Sequence, residues 1–262
     1  EQHRDIFHLT GIDQEETILL LYPPSKDDKT REILFIRKSD NHTKVWEGEK
    51  LSRKQANELS GIDSIYFIDD FKDILSSIAT KVDTFYINKN EHYRANSPVE
   101  TREDRFISWL LKKYPAHNVA KSNPILQRQR SIKHPDEIDQ IKKACNITRK
   151  GFNRVLEFIK PNVWEYEIEA EFIHEFINSS SKGFAYSPII ASGNDNNVLH
   201  YIKNNKQCKS GELILMDVGA EYGNYSSDMT RTVPVSGKFS KRQKEIYNAV
   251  LRVKNEATKL LT

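Results

Sequence analysis

The chain has 262 residues, 37% of them hydrophobic, and carries 40 Lys plus Arg against 37 Asp plus Glu, a net charge of +3. That length fits two domains, since single cores usually stop at about 100 to 200 residues; with no run of about 18 apolar residues and no basic start leading into an apolar stretch, a membrane helix and an intact signal peptide are excluded. Balanced, scattered charge argues against a nucleic-acid partner, neither GxGxxG nor GxxxxGK(S/T) occurs, and two cysteines, Cys145 and Cys208, are too few for a disulfide scaffold and predict a reducing, cytoplasmic setting.

In chain order, Thr17 to Tyr22, Ile33 to Arg37, Ser64 to Ile68 and Thr84 to Ile87 are short apolar runs bounded by turn residues, which predict strands. Helical spacing over Ser52 to Leu59 and Phe71 to Ile78, and over Asp104 to Leu111 with Phe106, Trp109 and Leu110 on one face, completes an α/β pattern. The polar stretch from Tyr114 to Asn123, flanked by Pro115 and Pro124, reads as a linker, so the first domain is placed at residues 1–122 and the second at 123–262. The second opens on a helix with Pro135 in its first turn, Asp136 and Glu137 matching the helix dipole, and an apolar stripe from Ile138 through Ile141, Cys145, Thr148, Phe152, Val155 and Ile159. Another amphipathic helix is predicted from about Glu165 to Asn178, strands and tight loops follow Gly183, and a last helix begins at Ser240, which makes the Lys238 to Lys244 charges a helix start rather than a phosphate grip.

His174, Glu175 and Asn178 nearly spell HExxH, but Asn178 stands where the second imidazole of a helical zinc site must be, and the motif is rejected. The segment Leu213 to Val235 is more informative: a strand ends in Asp217, a Gly-containing turn follows, and a second strand carries Asp228. A two-residue loop at Tyr222-Gly223 sets the two aspartates directly opposite each other, one at Gly223-Asn224 makes them diagonal neighbours, and a longer loop or a bulge separates them. Held about 5 to 8 Å apart, two carboxylates repel unless one is protonated or a cation lies between them, and their hard oxygens suit a divalent ion; the rival reading is a solvent-facing hairpin with exposed acids. His200, in the phrase SGNDNNVLHY, would do proton transfer or bind an oxyanion if it folds toward that hairpin, and is otherwise a surface group.

Three phrases in order, the run from Arg130 through IKHPDEIDQIKKACNIT, SGNDNNVLHY, and MDVGAEYGNYSSDMTRTVPVSGKFSKRQKEIYNAVL, together resemble the aminopeptidase P (Xaa-Pro aminopeptidase) family of pita-bread metallopeptidases. IFHLTGIDQEETILLLYPP and VWEGEKLS resemble the noncatalytic first domain of that family, so the likeness covers nearly the whole chain. The resemblance implies a creatinase-like N-terminal mixed-sheet domain followed by a partial pita-bread domain. It implies hydrolysis of the bond between an N-terminal residue and a following proline by a hydroxide bridging two divalent metals, usually manganese. It maps Asp217 and Asp228 onto the family's first two metal ligands and His200 onto its substrate-contacting, proton-transferring histidine, while Arg231 is read as a structural ion-pair partner.

The family completes its site with a histidine and two glutamates from a later half, and no histidine follows His200 here, so the chain is expected to be an incomplete, inactive piece of the enzyme. Expected partners are peptides with proline in the second position and a second copy of the chain in a homo-oligomer, with neither membrane nor nucleic acid. Prolidase shares the fold but takes dipeptides, and the WEGEKLS and SDMTRT phrases favour aminopeptidase P over it. A noncatalytic pita-bread module that binds peptides or histones is the rival from a different class, opposed by the presence of Asp217, Asp228 and His200.

Overall fold

The architecture is that of a computed structural model describing residues 3–88 and 99–261, and it divides into two compact units, Glu1–Ile132 and Lys133–Thr262. In the first unit the order is α1 (Arg4–Thr10), β1 (Ile18–Leu21), α2 (Asp28–Arg31), β2 (Glu32–Ile36), α3 (Asn41–Glu47), α4 (Arg53–Ser60), β3 (Ser64–Phe67), α5 (Phe71–Ala79), β4 (Thr84–Ile87), α6 (Arg102–Lys113), β5 (Asn118–Lys121) and α7 (Asn123–Ser131). The apolar run Ile33 to Ile36 explains its arrangement. Because successive side chains leave a strand on opposite faces, β2 can be apolar throughout only if both faces are covered. Ile33 and Phe35 pack with Phe71, Leu75, Ile78 and Leu110 of α5 and α6, whereas Leu34 and Ile36 pack with Ala56 of α4 and with Ile12, Ile62 and Ile65. β2 is accordingly the centre of a mixed sheet, antiparallel to β1 and parallel to β3.

The segment read as a linker is built into this unit. β5 pairs in parallel with β4, with Thr84 opposite Asn118 and Ile87 opposite Lys121, and α7 is held by Arg130 Nη1 on Asp5 Oδ1 at 2.6 Å. The boundary therefore falls between Ile132 and Lys133, ten residues beyond the expected one. β5 is mostly exposed, so its sequence is polar although its backbone is paired, and hydrophobic patterning does not register it.

The second unit runs α8 (Pro135–Phe158), α9 (Glu165–Asn178), β6 (Gly183–Phe184), β7 (Ile189–Ser192), β8 (Leu213–Val218), β9 (Ala220–Tyr222), β10 (Tyr225–Ser226), β11 (Met229–Pro234) and α10 (Lys241–Thr258). His134 caps α8 and Pro135 occupies its first turn, as the sequence demands. Its buried stripe is Ala144, Ile147, Thr148, Gly151, Phe152 and Val155, so Cys145 lies one step around the helix and is exposed, contrary to the stripe expected. Small residues occupy the contact: a Cβ on Gly151 would come within 2.7 Å of the Phe176 ring and 2.9 Å of the Phe172 ring. β8 pairs antiparallel with both β7 and β11, and its alternation turns Ile214, Met216 and Val218 into the core beneath α8 and α9. Asp217 is thereby placed on the opposite, half-buried face of β8. Among the described residues no helix is long and apolar enough to cross a membrane.

Candidate metal centre

The turn decides how the two aspartates meet. Gly223 and Asn224 both have positive φ, 57° and 65°, the pair of left-handed conformations a two-residue type I′ hairpin loop needs, and Gly and Asn tolerate them best. Tyr222 then faces Tyr225 and Ser226 faces Glu221. The same count continues across the next segment, where Val218 faces Met229 and Asp217 faces Thr230. Asp228 precedes Thr230 by two residues, so the two acids are diagonal neighbours, the second of the registers the sequence leaves open.

Between the two ladders the chains come unusually close. A Cβ on Gly219 would lie 1.8 Å from the carbonyl oxygen of Ser227 and 3.0 Å from Cε1 of Tyr186, which leaves room for glycine alone. Ser227 is buried beside it: its Oγ lies 2.6 Å from Thr148 Oγ1, and both hydroxyl oxygens accept from the Ala220 amide. The residue before Asp228 is thus fastened to α8 and to the crossing of the two chains.

Tyr186, between β6 and β7, joins the acids. Its hydroxyl is 2.6 Å from Asp217 Oδ1 and 3.0 Å from Asp228 Oδ1, so one proton is shared between two carboxylates. Burial, then the hydrogen bonds to Asp217 and Asp228, push the phenol far above the usual tyrosine range and keep it a donor. Sequence reasoning did not find Tyr186, since a lone tyrosine 31 residues before Asp217 carries no pattern.

Two carboxylate oxygens converging on one point form a hard donor set suited to a divalent cation. Among the described residues no group of three or more His, Cys, Asp or Glu gathers there or elsewhere, so these residues fit part of a metal site and not a closed one. His200 sits in an exposed turn after the 3-10 segment Gly193–Asn197, and among the described residues no hydrogen bond joins it to the aspartates. His174 is exposed on α9 and Glu175 accepts from Ser179 Oγ, in keeping with the rejected zinc motif. Arg231 is exposed and donates to the Thr230 carbonyl at 2.8 Å; no described acid pairs with it, so the expected ion pair is not made.

The site is thus a β-hairpin that presents paired aspartates, with two packed helices on the other face of its sheet, in a chain whose other unit is built on a mixed sheet. Residues 139–262 match metallopeptidase family M24, and residues 1–86 match the aminopeptidase P N-terminal domain. The chain belongs to the aminopeptidase P branch of the pita-bread superfamily. It is 31% identical over 258 residues to the Xaa-Pro aminopeptidase of Haemophilus influenzae, covering 97% of this chain and 56% of that protein. Proline aminopeptidase P II from Yersinia pestis superposes with a TM-score of 0.85 at 29% identity, covering 98% of this chain and 59% of that one. Zinc-substituted Escherichia coli aminopeptidase P in complex with product gives a TM-score of 0.84 at 30% identity, covering 96% and 57%. The chain thus spans rather more than half the length of these relatives.

Proposed function

We propose that the protein is a divalent-metal-dependent aminopeptidase that removes the N-terminal residue preceding proline from peptides. The observation that carries this reading is the convergence of Asp217 and Asp228 on the Tyr186 hydroxyl within the segment matched to metallopeptidase family M24. In this reading Asp217 and Asp228 hold two ions, with manganese preferred, and the remaining ligands come from a longer chain, which the 56% coverage of the Haemophilus influenzae relative supports. Bound there, divalent ions would supply Lewis acidity and lower the pKa of bound water to about 7.

The chain's own residues do the rest. Asp217 and Asp228 concentrate negative charge on one face of the hairpin. Tyr186, held as a donor, keeps the two oxygens aimed at one point and limits their repulsion before metal binds. His200, at the exposed tip of its loop, faces solvent where a substrate can reach it, and in this reading donates to the oxyanion that develops at the scissile carbonyl. Xaa-Pro aminopeptidase is the name of the Haemophilus influenzae relative, and that name supports the choice of substrate. A homo-oligomer in the cytoplasm completes the proposal; the free cysteines fit a reducing compartment, and a monomeric full-length protein by light scattering would contradict the oligomer.

Substrate choice tests the reading. The full-length protein is expected to cleave Xaa-Pro-Xaa tripeptides and to leave Xaa-Ala-Xaa tripeptides intact; turnover confined to Xaa-Pro dipeptides would replace it with prolidase activity.

A further inference from the structure

Glu165, the first residue of α9, is wholly buried, and it is spent on the loop that carries His200. Its Oε1 accepts from the amide and the hydroxyl of Ser192, both at 2.8 Å. Its Oε2 accepts from the Tyr201 hydroxyl at 2.8 Å and from the Lys206 amide at 3.0 Å. Ser192 ends β7 just before the loop, Tyr201 directly follows His200, and Lys206 closes the segment. One carboxylate therefore grips both arms of the loop and the residue adjoining the imidazole. A buried carboxylate is costly to desolvate unless its oxygens are satisfied, and four donors with a helix N-terminus behind them satisfy this one.

The rest of the loop is braced in the same sense. Asn196 donates to the Leu213 carbonyl and accepts from the Leu215 amide, which ties it to the strand bearing Asp217. Asn204, in a left-handed conformation, accepts from the Ile190 amide and donates to the Pro188 carbonyl, and Lys206 pairs with Asp195 at 3.1 Å. Against this fixed frame His200 itself is exposed. A loop so thoroughly tied down around a solvent-facing imidazole fixes the placement of that imidazole, and Glu165 is the group that reaches both arms.

We propose that Glu165 is a positioning residue that sets the place of His200 relative to the hairpin of Asp217 and Asp228. The inference rests on the aminopeptidase reading for its kinetic consequence, though not for its structural one. Glu165→Gln keeps the shape but, whichever way the amide lies, turns its NH2 toward a backbone N–H that can only donate, that of Ser192 or of Lys206. A displacement of about 1 Å costs on the order of 100-fold in rate. The full-length protein carrying Glu165→Gln is therefore expected to lose about 100-fold in kcat on an Xaa-Pro-Xaa peptide with KM changed less than about threefold. Placed on His200→Ala, the same substitution is expected to cost less than about threefold, because its effect passes through the histidine. Hydrogen exchange of the same protein should show faster exchange at the Ser192 and Lys206 amides, with β8 and β11 protected as before.

Equal losses in both backgrounds, or unchanged exchange at Ser192 and Lys206, would overturn the proposal. If the unsubstituted protein fails to cleave the peptide, the aminopeptidase reading falls, and the exchange result still decides for or against Glu165 as the clamp of this loop. Should Glu165→Gln not fold, Tyr201→Phe removes one of the four donors and is expected to show the same background-dependent loss at a smaller size; additive behaviour there would equally refute the role.

Discussion

Replacing Gly219 with alanine tests how the hairpin brings its aspartates together. The added methyl would sit 1.8 Å from the Ser227 carbonyl oxygen and 2.7 Å from its carbonyl carbon, well short of the 3.4 Å at which ordinary contact begins. Those are backbone atoms, and the third neighbour is the Tyr186 ring at 3.0 Å. Relief requires moving the chain at Ser227, next to Asp228, or at Gly219, whose carbonyl accepts from the Ala185 amide beside Tyr186 at 2.8 Å. Either way the three groups of the candidate site separate. Overpacking of this kind costs about 3 kcal/mol or more, which lowers the melting midpoint of a unit this size by about 10 °C. Gly237→Ala is the control: nothing lies within 4 Å of its Cβ, and only its φ of +74° is strained, for about 1 kcal/mol. Thermal melts and manganese titration calorimetry of the full-length protein carry the test. A Gly219→Ala protein that melts with the Gly237→Ala control and binds manganese like the wild type would refute the geometry.

Tyr186→Phe is expected to destabilise the metal-free protein by about 1.5 to 3 kcal/mol, the worth of a hydrogen bond to charged acceptors, and saturating manganese should shrink that gap in a melt; equal destabilisation with and without metal would count against a shared role for the two acids. The sign for Tyr186 is that of a raised pKa: its stabilisation is full below the unfolded tyrosine value and is lost as pH rises through the folded one, so the difference between wild type and Tyr186→Phe should narrow only in strongly alkaline melts. Cys208 is buried, and burial pushes its thiol up to about 11, whereas Cys145 is exposed. At pH 8 iodoacetamide should modify Cys145 and spare Cys208 until denaturant is added, as read by peptide mass spectrometry; prompt native labelling of Cys208 would contradict the packing around it.

Much of the fold was legible because burial is periodic. The β2 run is apolar on both faces and can only be a central strand; α8 and α9 announce themselves through Pro135, the acidic first turn and spacing of three or four. What failed to register was structure held by backbone bonds under a polar sequence. β5 has mostly exposed side chains, α7 is anchored by an ion pair to Asp5, and both lie in the stretch taken for a linker and the start of the second domain. Cys145 misled because an apolar residue beside a buried stripe fits a helical period almost as well as one within it.

The same division holds at the site. Asp217 and Asp228 could be paired from strand period and turn chemistry, and Gly223-Asn224 chose between the two registers only once φ was known at both residues. Tyr186 and Glu165 could not be found that way, since each acts across long sequence separations, 31 residues to Asp217 and 27 to Ser192, through single hydrogen bonds that leave no periodic trace. His200 was singled out by the family phrase and not by spacing, because an exposed turn residue carries no periodic signal.

Manganese-dependent release of the N-terminal residue from an Xaa-Pro-Xaa tripeptide by the full-length protein, measured beside Asp217→Ala and His200→Ala, decides whether the paired aspartates serve a metallopeptidase. Activity that requires added manganese and is abolished by Asp217→Ala and sharply reduced by His200→Ala is the predicted result. A folded, manganese-supplied protein without that activity, or one whose activity survives Asp217→Ala, would contradict it.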